Sequence, residues 1–154
     1  MPEVRPAATV TIQAPIDRVW AVMTDTDTYG EWNPFVFRAE CPTPPTPGDP
    51  IILHVRWRNG RTARSPERIS LVEPPHADGE LLRATLAYVY EGLPAKLGLV
   101  RGTRFQRLHQ RPGGPTVYET VEEFSGPLVP LAGPARVADG FRRHAEALKA
   151  HCER

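Results

Sequence analysis

Between residues 35 and 124 apolar residues recur at every second position through six successive segments, and one long amphipathic helix follows. Alternation of this kind buries one face of a strand and leaves the other in water. In segment 51–58, Ile51, Leu53, Val55 and Trp57 share one face, with His54, Arg56 and Arg58 on the other. Asn59-Gly60 and Pro112-Gly113-Gly114-Pro115 are tight-turn sequences, so the segments they join pair antiparallel. The other strands are expected at 35–41, 64–72, 81–90, 103–110 and 116–124. Strand 64–72 is expected to stop at Glu73-Pro74-Pro75, because proline cannot donate to a ladder.

A further strand, 8–13, precedes this run, with two short helices between. Pro15 opens the first helix where its missing N–H costs nothing, and Ile16, Val19, Trp20 and Met23 form its apolar stripe. The second helix runs to Trp32 and stops at Asn33-Pro34. The last helix, 134–151, carries Val137, Phe141, Ala145 and Leu148 in one line. This is an α+β order with a seven-stranded antiparallel sheet. A sheet that wide curls, yet a single helix covers only about 10 Å of it. The arrangement predicts a cavity where the concave face lies bare.

Composition narrows the partners. The 154 residues suit a single domain, and 19 basic against 18 acidic residues leave a formal charge of +1, too weak a field for nucleic acid. Nearly all the basic residues are Arg; Lys96 and Lys149 are the only lysines. No apolar run approaches the roughly 20 residues of a membrane span. The start, Met1-Pro2-Glu3-Val4, has no leader pattern, and two cysteines, Cys41 and Cys152, make no disulfide framework. A cytoplasmic domain with no membrane insertion is expected. His54, His76, His109, His144 and His151 lie too scattered for a metal site, and no nucleotide-binding glycine motif or serine elbow occurs. The cluster Arg56, Arg58, Arg61, Arg64 and Arg68 reads as a solvated face.

Ile12-Gln13-Ala14-Pro15-Ile16-Asp17-Arg18-Val19-Trp20 and Tyr29-Gly30-Glu31-Trp32-Asn33-Pro34-Phe35 resemble the opening motifs of the SRPBCC (START-like, helix-grip) superfamily. Glu122-Glu123-Phe124-Ser125-Gly126-Pro127 and the terminal Gly140-Phe141 are similar to its polyketide cyclase/dehydrase-like branch. The resemblance implies a helix-grip fold, in which the seven-stranded sheet wraps around the last helix over an elongated apolar pocket. Tyr118 and Thr120 depart from the commonest pattern of the last strand, and the superfamily hosts carriers, cyclases, hydrolases and chaperone activators.

Parity then selects the pocket residues. Leu53, Val55 and Trp57 face inward on the third strand, Leu82, Ala84, Leu86, Tyr88 and Tyr90 on the fifth, and Tyr118, Thr120, Glu122 and Phe124 on the seventh. On the sixth strand parity leaves two rows open, Phe105-Arg107-His109 and Arg104-Gln106-Leu108; Phe105 and His109 are carried as candidates. Trp20 and Trp32 are assigned to packing of the two small helices, with Trp32 and Asn33 also carried as rim candidates; Val137 and Phe141 are placed on the helix side. Segment 92–102 reads either as a lid hinged at Gly92, Gly98 and Gly102 or as a short helix packed on the domain edge. Glu122, a carboxyl facing an apolar space, is the candidate general acid or base, with Tyr88 and Tyr118 as hydrogen-bond donors to an enolate. The expected function is binding of one hydrophobic, aromatic or polyketide-like molecule, with cofactor-free cyclisation or dehydration. The alternatives are a non-catalytic carrier or sensor and a chaperone-activator-like interaction module.

Overall fold

The computed structural model describes residues 5–154; the expectation about a leader pattern at residues 1–4 falls outside the described residues. Strand β1 (Ala7–Ile12) leads into helix α1 (Ile16–Thr24), a single 3-10 turn (Thr26–Thr28) and helix α2 (Tyr29–Trp32). Strands β2 (Val36–Glu40), β3 (Pro50–Arg56), β4 (Thr62–Asp78) and β5 (Leu81–Tyr90) follow. A one-turn helix α3 (Leu93–Lys96) then precedes β6 (Arg101–Gln110) and β7 (Thr116–Ser125). A 3-10 turn (Val129–Ala132) introduces the long helix α4 (Pro134–Cys152).

The strands form one antiparallel sheet in the order β1-β7-β6-β5-β4-β3-β2. Register shifts in β2 and twice in β4 mark bulges, which curl the sheet. One of them reverses an expectation. β4 continues through Pro74-Pro75 to Asp78, because the prolines fall where the ladder skips between Glu73 and His76 and no donor is asked of them.

Helix α4 lies in the concavity, and Val137, Gly140, Phe141, His144, Ala145, Leu148 and Cys152 are buried along it at helical spacing. Gly133 precedes it at φ +70°, in the left-handed region, and Pro134 occupies the first turn. Gly140 lets the Phe35 ring press on the helix, since a Cβ there would stand 2.3 Å from Phe35 Cε1. Asp139 accepts hydrogen bonds from Arg58, Arg142 and Arg143, and Lys149 donates to the Thr11 carbonyl at 2.7 Å, so the helix is fixed to both halves of the sheet. The packed core lies under the C-terminal half of α4, where Ile12, Ile16, Val19, Met23, Leu108 and Leu148 are almost completely buried.

On β7 the inward row is Thr116, Tyr118, Thr120, Glu122 and Phe124. On β6 it is Arg104, Gln106 and Leu108, so Phe105 and His109 lie on the outer face, with Arg107 stacked over the Phe105 ring. Leu82 is 39% exposed at the strand's end, beyond the width that α4 covers. Among the described residues no helix is long and apolar enough to cross a membrane.

Candidate functional site

The concave face left uncovered by α4 holds a cavity of about 420 Å³. Its sheet wall is Leu53 and Val55 from β3, Ala63 from β4, Tyr90 from β5, Val100 and Phe124. Phe35, Val137 and Phe141 close it from the helix side. Trp57, Pro94, Leu128, Leu131, Ala132 and Arg136 form the remaining apolar border and mouth, Arg136 lying over the Trp57 ring at 4.3 Å and Leu131 76% exposed. The expected lid is the one-turn helix α3: Pro94 and Val100 line the cavity, Leu93 and Leu97 face solvent, and Gly102 is a ladder residue opposite Phe124 rather than a hinge.

One wall is polar, made by Arg64, Ser65, Glu67, Arg104 and Glu122. Arg104 and Glu122 are direct cross-strand partners on β6 and β7, and Arg104 is likewise opposite Tyr88 on β5. Glu67 comes from β4, opposite Tyr90. Glu122 is only 8% exposed and Glu67 only 7%. Burial drives the Glu122 carboxyl up to about 7 against the opposing pull of Arg104. Glu67 is raised well above the ordinary range by burial and then by Glu122, with its Ser65 hydrogen bond (3.0 Å) and Arg104 acting the other way. Glu67 Oε1 and Glu122 Oε2 are buried without a hydrogen-bond partner.

Behind this wall runs a hydrogen-bonded row. Tyr118 donates to Gln106 Oε1 at 2.6 Å, Gln106 donates to the Tyr88 hydroxyl at 3.0 Å, and Arg104 donates to the same hydroxyl at 3.0 Å. Arg104 Nε donates to Thr120 at 2.8 Å, and its Nη2 lies 3.5 Å from His144 Nδ1. Asn33 completes the row: its amide nitrogen lies 3.0 Å from His144 Nδ1 while its Oδ1 accepts from the Phe35 and Val36 backbone N–H groups. With two donors facing Nδ1, the His144 proton sits on Nε2, and burial together with Arg104 lowers its pKa and keeps the ring neutral.

This geometry sorts the residues read from the sequence. Leu53, Val55, Trp57, Tyr90, Glu122, Phe124, Val137 and Phe141 line the cavity. Tyr88, Tyr118, Thr120, Ala84 and Leu86 face inward but are consumed by the polar row or the core. Trp32 is stacked on His151 with its edge to Tyr29, and Asn33 holds the α2–β2 junction, so neither forms the rim. Phe105, His109 and Leu82 lie elsewhere, as described above. Glu67 and Ser65 line the wall without having been read from the pattern, and Arg104 comes from the row on β6 that parity left open. The signal for Arg104 was its direct pairing with Glu122 and Tyr88, visible only once the register is known. Among the described residues no group of three His, Cys, Asp or Glu side chains is placed to hold a metal ion.

Solved structures share this architecture. The Zhui aromatase/cyclase from Streptomyces sp. R1128 is 20% identical and superimposes with a TM-score of 0.67 over 99% of this chain and 95% of its own. The di-domain ARO/CYC BexL from the BE-7585A biosynthetic pathway gives a TM-score of 0.69 at 17% identity, over 99% of this chain; the chain spans half the length of BexL. A START superfamily protein from Mycobacterium smegmatis gives 0.62 at 15% identity, over 97% of both chains. At these identities the likeness establishes the fold. No curated protein matches the chain by sequence. The family model described as polyketide cyclase / dehydrase and lipid transport matches residues 3–153, and the chain belongs to that family.

Proposed function

We propose that the protein takes one aromatic or polyketide-like molecule into the cavity and catalyses its cofactor-free cyclisation with loss of water. The observation that carries this reading is Glu122, a carboxyl on an apolar cavity wall whose pKa of about 7 suits it to both halves of a proton transfer. Glu122 as carboxylate removes a proton from a carbon between two carbonyls. The enolate carbon attacks a second carbonyl of the same molecule, forming the ring bond, and the alkoxide takes the proton back. Glu122, a carboxylate again, then removes the remaining proton from the same ring carbon and passes it to the hydroxyl, which leaves as water as the carbon–carbon double bond forms. Glu67, held protonated by burial, supplies a hydrogen bond to the oxygen on which charge develops. The apolar walls fold the flexible substrate so that the reacting carbons meet.

Tyr88 and Tyr118 do not serve as donors in this reading, because the row behind the wall occupies their hydroxyls. That same observation favours the carrier as the second reading, since it removes two expected catalytic groups. Cyclisation of a synthetic poly-β-ketone, followed by mass spectrometry, separates the two. Glu122→Gln is expected to lower the rate about 10²–10⁴-fold with binding retained. An unchanged rate would leave the carrier.

A further inference from the structure

We propose that the ligand is an acid, its carboxylate seated against Arg104 between Glu67 and Glu122 and its apolar body running toward the mouth. The inference rests on the reading of the cavity as the ligand site and names the class of molecule that fills it.

Arg104 is a permanent cation placed at the inner wall of an apolar chamber and only 2% exposed. Its hydrogen-bond partners are a threonine hydroxyl, a tyrosine hydroxyl and a neutral imidazole, none of which carries a countercharge. The guanidinium has five N–H groups, and these three contacts engage three of them. The Phe141 ring lies 4.2 Å below the carbon of the guanidinium and offers a π face rather than an acceptor. A buried cation is stable in the long run only beside an anion. The neighbours able to supply one from the protein are the two carboxyls, and burial favours their protonated forms. A protonated carboxyl is itself a donor. A cation that shares one cavity wall with two acids, whose oxygens Glu67 Oε1 and Glu122 Oε2 are buried without partners, is a receptor for a carboxylate.

Charge bookkeeping gives the seat a pH dependence. Glu122 faces Arg104 on β6, Glu67 and Arg64 on β4, and Tyr88 and Tyr90 on β5. From α4 it faces Arg136 at the mouth and His144 behind the wall. The arginines stay charged, the tyrosines are raised by burial, and His144 stays neutral. The carboxyl pair is therefore what changes charge near neutrality, and its first ionisation supplies Arg104 with an internal partner that competes with the ligand.

Isothermal calorimetry with 2-naphthoic acid and its neutral isostere 2-naphthamide tests this. At pH 6 the acid is expected to bind at least about 10-fold more tightly than the amide, the ratio that one charge-assisted pair supplies. Above pH 7 its affinity should fall by up to about 10-fold per pH unit while that of the amide stays level. Arg104→Gln should erase the preference. Glu122→Gln, which leaves Glu67 as the one titrating carboxyl of the seat, should keep it and weaken the fall above pH 7, so the test survives if the Arg104 variant does not fold. Equal affinities for acid and amide at pH 6 would overturn the acid seat and leave the cavity as a ligand site. Binding of neither compound would overturn both.

Discussion

Replacing Glu122 by Gln removes a charge that the fold tolerates poorly, and the consequence for stability is separate from any role in catalysis. The native carboxyl holds its proton up to about pH 7, whereas in the unfolded chain it releases it at the ordinary value near 4.5. The native state thus binds the extra proton between those two values, and stability falls as pH rises through that window. The full contribution is present below pH 4.5 and is gone above pH 7. At about 1.4 kcal/mol per pH unit, the loss across the window is about 3 kcal/mol. Gln fills nearly the same space without titrating, so the variant escapes this loss. Urea denaturation of both proteins from pH 4.5 to pH 8.5 should show the stability of Glu122→Gln, relative to the parent, rising by about 3 kcal/mol, roughly 6–12 °C in melting temperature. Glu67 is present in both proteins, and losing the repulsion from Glu122 eases its ionisation in the variant, which acts in the same direction. A difference that stays flat across that range would mean that Glu122 is solvated in the native state, and the reasoning from a dry carboxyl would fail.

Three further perturbations follow from the geometry. Asn33→Ala strips the acceptor from the Phe35 and Val36 backbone N–H groups and a donor from His144, and should cost about 2–4 kcal/mol by chemical denaturation; a loss below about 1 kcal/mol would refute the assignment of Asn33 to the junction. Gly140→Ala drives a Cβ into the Phe35 ring and should destabilise by about 1–3 kcal/mol while pushing that ring toward the cavity, so thermal melting and naphthamide affinity should fall together. Val100→Phe fills open volume on the sheet wall and should reduce naphthamide binding at least about 10-fold while leaving the melting temperature within about 3 °C, measured by calorimetry and circular dichroism.

The inward faces of β3, β5 and β7 were legible because their alternation is local. A row of Leu53 and Val55, or of Tyr118 to Phe124, declares its side without reference to any partner. β6 was not legible, since both of its rows mix apolar and polar residues. Arg104 and Gln106 go inside because Tyr88, Thr120 and His144, from β5, β7 and α4, meet them there. No window of sequence contains all of those residues. Glu67 was hidden for a related reason. It sits in Ser65-Pro66-Glu67-Arg68, a stretch that reads as polar surface, yet the curl of the sheet turns that part of β4 over the chamber. The length of β4 was misjudged because proline normally ends a strand, and only the register with β5 reveals that Pro74 and Pro75 occupy a skipped position. Leu82 shows the opposite limit: its parity is right, but the strand outruns its cover.

The row from Tyr118 through Gln106, Tyr88 and Arg104 to His144 and Asn33 acts as a bulkhead across the interior. On one side the side chains interlock and maintain the fold; on the other lies vacant room. Under the proposed reading, substitutions at Val55, Val100 or Ala132, which line that room, would change which guest fits. On the same reading the bulkhead also sets a zero mark for depth: guests of different length would begin at the same place and differ in how far they protrude past Leu131.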